Sequence, residues 1–388
     1  MTLSPPRLVA WEITRSCNLY CAHCRASAKQ GPYPGELSTQ ECCRLVDGIL
    51  EVGNPILILT GGEPLLRPDL FDIAGYAAGK GVRVTVGTNG TLLDDATAAR
   101  LKAVPISRIG VSLDFPSRSL QDDFRGLPGA FDAALRGIES ARRAGLEVQI
   151  NSTITKLNAS YLGDLLTLAL ELGAVAFHPF MLVPTGRGKE LEDQELPPEE
   201  YERILNWIYD RQAELGDRIF FKPTDAPHYM RVFMQRGKSG HGAAMPPTHH
   251  GAGGHPGGRP GMNAISRGCL AGIGFCFISH VGRVQGCGYL DVEAGNIKRQ
   301  SFADVWRDSP LFNQLRDYSL LRGKCGVCEF KKVCGGCRAR AFEATGDCLE
   351  AEPYCVYQPR GVASPHHGHS PSVIPAEAGI QGQEPSGT

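Results

Sequence analysis

The first half of this chain alternates between two kinds of segment, and this alternation constrains its fold more than any other feature. Apolar, β-branched runs occur at residues 7–14, 55–60, 82–87, 107–113, 146–153 and 174–182. Helix-like stretches separate them at residues 39–52, 69–79, 94–103, 130–144 and 159–172. Several stretches end at a glycine, a residue that favours helix termination, as at Gly53, Gly81, Gly145 and Gly173. Near-continuous apolar strands between amphipathic helices predict an α/β fold, a partial (β/α)6 TIM-like barrel with its chemistry on the loops after the strands.

The rest of the chain changes composition several times. Residues 1–235 should hold the barrel with a following helix near 198–215 and a strand near 218–222. Residues 236–261 are mostly Gly, His, Pro and small residues that cannot form a core, so we expect a linker. Residues 262–358 carry nine cysteines and should form a small cysteine-rich domain. Residues 359–388 resemble the linker in composition, and we expect a disordered tail.

The 14 cysteines narrow the chemical class. Lys and Arg number 40 against 41 Asp and Glu, and this balance argues against a dedicated nucleic-acid binder. No apolar run approaches the ~18 residues of a membrane span, and no apolar signal segment begins the chain, so we expect a cytoplasmic protein. Disulfides are rare in that compartment, and clustered cysteines therefore indicate metal or iron–sulfur ligands.

Three cysteines directly follow the first expected strand. Cys17, Cys21 and Cys24 have the spacing Cys-x3-Cys-x2-Cys. Three thiolates leave one iron of a [4Fe–4S] cubane open, and that iron can chelate a small molecule through an amine and a carboxylate. A zinc knuckle is the alternative, although zinc prefers four protein ligands and no fourth is near in the sequence.

A second motif follows the second expected strand. The motif is Thr60-Gly61-Gly62-Glu63-Pro64. Its glycines allow close approach of a ligand to the backbone, and Glu63 can accept hydrogen bonds from an ammonium group. Its place at the neighbouring strand end puts it beside the expected open iron.

These two motifs together resemble the radical S-adenosylmethionine (SAM) enzymes over roughly residues 7–182. The resemblance implies that the cysteine loop holds a [4Fe–4S] cluster and that the Gly-Gly-Glu-Pro turn holds the methionine end of SAM. It also implies that the reduced cluster splits SAM into methionine and a deoxyadenosyl radical. By resemblance Ser112 would touch the ribose and Arg125 the carboxylate of SAM, and Asn151 is a further SAM-binding candidate. Ser112 and Asn151 could instead simply cap strand ends.

The C-terminal cysteines resemble a SPASM domain, the auxiliary-cluster module of many radical SAM enzymes. The spacing Cys325-x2-Cys328-x5-Cys334-x2-Cys337 departs from the usual pattern by one residue in its last step. The resemblance implies one auxiliary [4Fe–4S] cluster held by Cys269, Cys276, Cys287 and Cys337. A possible second cluster would take Cys325, Cys328, Cys334 and Cys355, which leaves Cys348 spare. One or two structural zinc sites are the alternative, since Cys-x2-Cys pairs also bind zinc.

Several further stretches resemble the SAM-dependent haem synthases of the alternative, sirohaem-based pathway. They are 186–191, 226–229, 268–280 and 334–341. The family decarboxylates two propionates of iron-coproporphyrin III to vinyl groups, which gives haem b, and a related family acts on propionates of a haem d1 precursor. We expect a cysteine near position 225 in such relatives; this chain has Asp225, so an extra cluster ligand is absent there.

The substrate implied by this resemblance carries four carboxylates, so a cationic rim is expected. Arg187 and Lys189, which follow the sixth strand, and His228 are the leading candidates. The other implied partner is a low-potential electron donor such as ferredoxin or flavodoxin.

Two competing interpretations remain. One is a peptide-modifying SPASM enzyme, although the first strand starts by about residue 7 and leaves little room for a leader-binding module. The other is not an enzyme but an iron–sulfur electron carrier or a zinc-stabilised scaffold. The SAM motifs argue against it, because an electron carrier needs no Gly-Gly-Glu-Pro turn.

Overall fold

The computed structural model describes residues 3–237 and 267–360 of the 388-residue chain. The expected linker, 236–261, and the expected tail, 359–388, lie outside the described residues apart from 236–237 and 359–360.

A single sheet of ten strands runs through the described part of the chain, in the order β10-β9-β8-β1-β2-β3-β4-β5-β6-β7. The strands are β1 (Leu8–Thr14), β2 (Ile56–Gly61), β3 (Arg83–Thr88), β4 (Arg108–Ser112), β5 (Val148–Ile154), β6 (Ala176–Met181), β7 (Phe220–Phe221), β8 (Phe275–Ile278), β9 (Arg283–Gln285) and β10 (Glu293–Asn296). All pairs from β8 through β1 to β7 are parallel, whereas β8, β9 and β10 pair antiparallel.

Twelve α-helices connect or follow these strands in the described residues. They are α1 (Thr39–Val52), α2 (Leu70–Gly79), α3 (Asp95–Ala103), α4 (Arg118–Arg125), α5 (Ala130–Arg143), α6 (Leu162–Glu171), α7 (Pro198–Leu215), α8 (Tyr229–Gly237), α9 (Phe302–Asp308), α10 (Pro310–Arg316), α11 (Gly323–Val327) and α12 (Arg338–Thr345). None of the described helices is both long and apolar enough to cross a membrane.

The ends of the helices follow local signals. Ser38 and Glu41 form a reciprocal capping box, so α1 begins at Thr39 as expected. Gly145 and Gly173 adopt left-handed φ values of 72° and 65° just after α5 and α6. Gly53 ends α1 differently, with an extended φ of 172°.

The cysteine-rich segment shares its sheet with the barrel. Strand β8 pairs with β1 from Leu8 to Trp11, and β1 pairs with β2 on its other side. One continuous apolar core joins Trp11 of β1 to Trp306 of α9. Residues 1–235 and residues 262–358, expected as separate domains, therefore both contribute strands to one sheet.

The sheet curves around a cavity, because residues from both β1 and β6 line it. Leu8 and Ala10 face this cavity, whereas Val9 and Trp11 are fully buried. This alternation along β1 is the one expected for a strand covered on both faces. The carboxyl end of β1 leads to the cysteine loop, and those of β2 and β4 carry Gly61 and Ser112, whereas Asn151 lies in the middle of β5.

Candidate active site

The loop after β1 presents three cysteine sulfurs to N–H donors. The Leu19 amide lies 3.4 Å from Cys17 Sγ, and the Ala28 amide lies 3.3 Å from Cys24 Sγ. Arg125 Nη1 lies 3.8 Å from Cys21 Sγ. N–H donors aimed at sulfur are the usual surroundings of iron–sulfur ligands, where they tune the cluster.

Burial disfavours the ionised, thiolate form of Cys17 and Cys21 when nothing is bound to their sulfurs. It raises the pKa of Cys17 to about 12 and also raises the pKa of Cys21. A bound cluster replaces water as the stabiliser of the thiolate charge, so buried sulfurs with N–H donors fit a metal centre.

The two glycines of the second motif pack against the loop that leads to the cysteines. A Cβ on Gly61 would come within 3.0 Å of Thr14 O, and a Cβ on Gly62 would do the same to Ser16 O. The Gly62 amide donates to Thr14 O at 2.8 Å, and the Glu63 amide donates to Ser16 O at the same distance. The glycines therefore set the spacing between the end of β2 and the cysteine loop, a role that the sequence did not reveal.

Glu63 is fully buried and precedes Pro64, the first residue of a short 3-10 helix. Its Oε1 accepts from Thr88 Oγ1 at 2.7 Å, and its Oε2 accepts from the Asn89 amide at 2.8 Å. Burial raises the pKa of Glu63 to about 7, although these hydrogen bonds oppose the shift. Within the described residues Glu63 forms no ion pair, so its carboxylate suits an amino group brought by a ligand.

Ser112, the last residue of β4, pairs with Asn151 in the middle of β5. Asn151 lines the central cavity, and its Oδ1 accepts a hydrogen bond from Gln149 Nε2 at 2.7 Å. Ser112 accepts through its main-chain oxygen from Gln121 Nε2 at 3.3 Å. Their SAM-binding roles remain predictions.

Arg125, at the end of α4, is buried beside the cysteine loop. Its guanidinium pairs with the fully buried Asp114, and His23 Nε2 lies 4.0 Å from the same carboxylate. The His23 ring stacks on Phe124 at 4.4 Å. Arg125 Nε is buried without a hydrogen-bond partner among the described residues, so they leave one donor of Arg125 unused. Its contact with the carboxylate of SAM remains a prediction.

The leading cationic candidates for the substrate lie elsewhere. Arg187 donates to Cys21 O at 2.9 Å and to Ala28 O at 2.8 Å, so it supports the cysteine loop from a 3-10 helix (Gly186–Gln194). Lys189 is exposed and pairs with Glu343 at 3.2 Å. Neither residue lines the central cavity. This corrects the expectation that their position after the sixth strand directs them to a substrate.

The central cavity has a volume of about 730 Å³. Gly61 and Asn151 from the SAM side line it, as do Cys269, Cys287 and Cys337 from the cysteine-rich segment. Asp225 is the one acidic side chain among the described lining residues. The basic lining residues are Arg7, Arg25, Arg83, Arg108, Lys222, Arg267 and Arg338.

The first predicted auxiliary set is only partly assembled. Cys269, Cys287 and Cys337 share the cavity wall, but Cys276 does not. Cys276 lies inside β8, between Phe275 and Phe277, whose side chains face the cavity. Successive strand residues face opposite sides of a sheet, so Cys276 points away from the other three cysteines into the apolar core.

The second predicted auxiliary set comes together. Cys325, Cys328, Cys334 and Cys355 all line one small cavity. His228 lines the same cavity, with Nε2 3.7 Å from Glu352 Oε2. His228 is therefore a neighbour of this cysteine set and does not line the central cavity, contrary to the substrate role expected for it.

Among residues 3–237 and 267–360, no three His, Cys, Asp or Glu side chains are grouped tightly enough to hold a single metal ion. A cubane has irons at separate corners, each bound by its own thiolate. The spread of the cysteines is therefore compatible with clusters.

Sequence reasoning missed one buried ion-pair network. Glu12 of β1 is fully buried and accepts from Arg25 Nη2 and from His280 Nδ1, each at 2.7 Å. Despite the opposing effect of burial, Arg25, His280 and Arg15 lower the pKa of Glu12 to about 2. Arg25 also donates to Gly288 O at 3.2 Å. A charged residue within an apolar strand was the available signal, but its partners are distant in sequence.

Comparisons with known proteins agree with this arrangement. Residues 11–169 match the radical SAM superfamily, and residues 269–338 match the iron–sulfur cluster-binding SPASM domain. A protein of Oleidesulfovibrio alaskensis named AdoMet-dependent heme synthase is 49% identical over 354 residues, covering 91% of this chain and 88% of that protein. A protein of Methanosarcina barkeri named Fe-coproporphyrin III synthase is 32% identical over 364 residues, covering 90% and 87%. Streptococcus suis SuiB bound to S-adenosylmethionine has the same fold, with a TM-score of 0.70 at 16% identity over 91% of this chain and 78% of that one.

Proposed function

The chain belongs to the radical SAM superfamily and carries a SPASM domain, and we propose that it is a haem synthase that converts two propionates of iron-coproporphyrin III to vinyl groups. As a member of this superfamily it is an enzyme that uses a [4Fe–4S] cluster, SAM and auxiliary iron–sulfur clusters. When bound, the N-terminal cluster and SAM supply the deoxyadenosyl radical that removes a hydrogen atom from substrate. The names of the relatives at 49% and 32% identity support a porphyrin substrate.

The central cavity is the observation that carries the proposal. Its volume of about 730 Å³ lies in the upper part of the range of about 300–1,000 Å³ for small-molecule sites. Asn151 on one wall and Cys287 on another contact the same space. A substrate in this cavity therefore lies between the predicted SAM site and three predicted auxiliary ligands.

The charge of the cavity wall fits a polycarboxylate. Arg7 and Lys222 line the cavity together with five further basic residues and the one carboxylate of Asp225. Two of those five, Arg25 and Arg108, are ion-paired with Glu12 and Glu147. Basic groups in a partly dry site bind carboxylates more strongly than they would in water. We assign Arg7 and Lys222 to binding propionates, in place of Arg187 and Lys189.

The proposed reaction balances only with an electron acceptor. Removal of one hydrogen atom from the β-carbon of a propionate leaves a carbon radical. Cleavage of the bond to the carboxylate then releases CO2 and forms the vinyl group, while one electron leaves the substrate. Cys269, Cys287 and Cys337 line the cavity, so a cluster held by them would be near enough to the substrate to take up this single electron.

The direct test is anaerobic incubation of the reconstituted full chain with reductant, SAM and iron-coproporphyrin III. Haem should form, identified by mass, with one deoxyadenosine for each propionate lost. The Cys17→Ala/Cys21→Ala/Cys24→Ala variant is the matched control and should form neither product. Turnover of a haem d1 precursor without turnover of iron-coproporphyrin III would contradict the proposal.

Two further assignments complete it. We propose a low-potential donor such as ferredoxin or flavodoxin, because clusters of this class have reduction potentials as low as about −700 mV. We also propose that the enzyme acts in the cytoplasm, where disulfides are rare and cysteine ligands stay reduced.

A further inference from the structure

Asp225 has an unusual backbone conformation for a residue with a side chain. It lies between β7 and α8, with a left-handed φ of 56°. Its main-chain oxygen accepts from Tyr201 Oη at 2.9 Å and from Arg340 Nη1 at 3.2 Å. Two side chains thus hold the backbone in a conformation that only a few per cent of residues other than glycine adopt.

The carboxylate of Asp225 has an oxygen atom that no described residue pairs with. Its Oδ2 is sealed from solvent and accepts no hydrogen bond within the described residues. Lys222 and Arg340 are the cations whose charges reach it, but neither forms an ion pair with it in the described part of the chain. A sealed, unpaired carboxylate oxygen costs free energy, so its retention points to a ligand other than the described residues.

Three cysteines share a cavity wall with this carboxylate. Asp225, Cys269, Cys287 and Cys337 all line the central cavity. After the larger effect of burial, the charge of Asp225 raises the pKa of the Cys287 thiol. The carboxylate and the three sulfurs therefore face one common space.

The fourth corner of the cluster is otherwise unassigned. Cys276 points into the core on the other side of β8. Cys348 is buried behind α12, where Arg338 Nη1 donates to its main-chain oxygen at 2.9 Å, and it lines neither cavity. A [4Fe–4S] cubane has four irons, each of which needs a ligand. Carboxylates bind iron in other protein sites, and ligands other than thiolates occur on iron–sulfur clusters.

We propose that the Asp225 carboxylate is the fourth ligand of the auxiliary cluster held by Cys269, Cys287 and Cys337. This replaces the expectation from the sequence that position 225 provides no cluster ligand. This inference rests on the SPASM assignment and does not depend on the identity of the substrate. One iron of that cluster then has oxygen in place of sulfur, which raises the reduction potential, as other non-thiolate ligands do. The same iron is held less firmly against oxidation.

The test uses the full-length Cys17→Ala/Cys21→Ala/Cys24→Ala protein, so that the auxiliary clusters alone contribute to the spectra. Asp225→Cys, Asp225→Ala, Cys276→Ala and Cys348→Ala are each added to this parent. All are reconstituted with ⁵⁷Fe and studied without substrate by Mössbauer and EPR spectroscopy, redox titration and iron analysis. Circular dichroism reports folding.

The parent should show one distinct iron site and, after mild ferricyanide oxidation, the EPR signal of a three-iron cluster. In Asp225→Cys that signal should be lost, and the potential of one cluster should shift negative. Asp225→Ala should hold one iron fewer than the parent. Cys276→Ala and Cys348→Ala should match the parent.

Two outcomes would overturn the proposal. One is that Asp225→Cys, folded and with full iron content, has the same spectra and potentials as the parent. The other is that Cys276→Ala or Cys348→Ala produces the loss expected of Asp225→Ala. Because no substrate is present, failure here is distinct from failure of the haem synthase assignment.

Discussion

Arg187 donates a hydrogen bond from Nε to the main-chain oxygen of Cys21, with 2.9 Å between the two atoms. A second hydrogen bond from the same guanidinium reaches Ala28 O, and the guanidinium lies 3.9 Å from the ring centroid of Tyr20. One arginine thus supports the loop that carries all three N-terminal cysteines, although it follows them by more than 160 residues in the chain.

Replacement of this arginine should loosen the N-terminal cluster. In Arg187→Lys one ammonium cannot reproduce the planar pair of donors, and hydrogen bonds from charged groups are worth about 1.5–3 kcal/mol each. We expect faster loss of N-terminal iron and less deoxyadenosine, while the iron of the auxiliary cysteines stays. The matched control is Lys189→Gln on the same 3-10 helix, which should behave as wild type. Equal iron retention in both variants would refute the supporting role.

The three N-terminal cysteines should be separable from the auxiliary ones. In the Cys17→Ala/Cys21→Ala/Cys24→Ala variant we expect no SAM cleavage, because no open iron remains to chelate SAM. Iron should fall by ~4 per chain and stay at ~4 or ~8, according to whether one or two auxiliary cubanes form. Iron and zinc analysis with a deoxyadenosine assay checks both results. Cleavage retained in this variant, or zinc in place of the remaining iron, would contradict the assignment.

SAM binding should depend on pH through Glu63. Burial raises the pKa of Glu63 to about 7, so this carboxyl is largely protonated at pH 6 and largely ionised at pH 8. The ionised form accepts hydrogen bonds from the amino group of SAM, and affinity should therefore rise with pH, by up to about tenfold per unit below pH 7. Equilibrium dialysis of the cluster-loaded enzyme at pH 6, 7 and 8 measures this.

Glu63→Gln is the control for that pH profile. It removes the titrating group while nearly keeping its shape, so affinity should be lower and less dependent on pH. If the variant and the wild type share the same slope, another group is responsible for the titration.

Loss of the second auxiliary set should uncouple SAM cleavage from product formation. A folded Cys334→Ala variant should still produce deoxyadenosine, because cleavage needs only the N-terminal cluster. It should yield little decarboxylated porphyrin, because the cluster at the cavity wall then cannot pass the substrate electron on to the second set. Cys348→Ala, a buried cysteine outside the small cavity, is the matched control. Circular dichroism must accompany the assay, since cluster binding and folding are coupled. Normal haem formation in Cys334→Ala would assign this set a structural role only.

Local sequence signals predicted much of the fold. The helices expected over 39–52 and near 198–215 match α1 and α7, because helix termini depend on neighbours within four positions. The three strands of the cysteine-rich segment were not predicted, since runs of three or four residues show too little alternation. The pairing of β8 with β1 is non-local and left no trace in composition.

The candidate site shows the same contrast between residues predicted from local motifs and residues whose contacts are distant in sequence. The sequence motifs placed Cys17 and Glu63 at adjacent strand ends, because parallel strands present their carboxyl ends at one edge. The roles of Arg187 and Asp225 depended on partners that no motif specifies: the main-chain oxygens of a distant loop and sulfurs from another segment. The SPASM resemblance also grouped Cys276 with the three cysteines of the cavity wall, and only strand orientation separates it from them.

The position of β1 in the sheet has a consequence for folding during synthesis. Strand β1 leaves the ribosome before β2, its partner on one edge. The partner on its other edge is β8 (Phe275–Ile278), which emerges only after most of the barrel has been synthesised. Until then an apolar strand with open hydrogen-bonding groups faces the crowded cell, and such an edge invites pairing with other nascent chains. Messages truncated before codon 275 should therefore yield aggregates, and chaperone supply should limit the amount of active enzyme recovered from rapid overexpression.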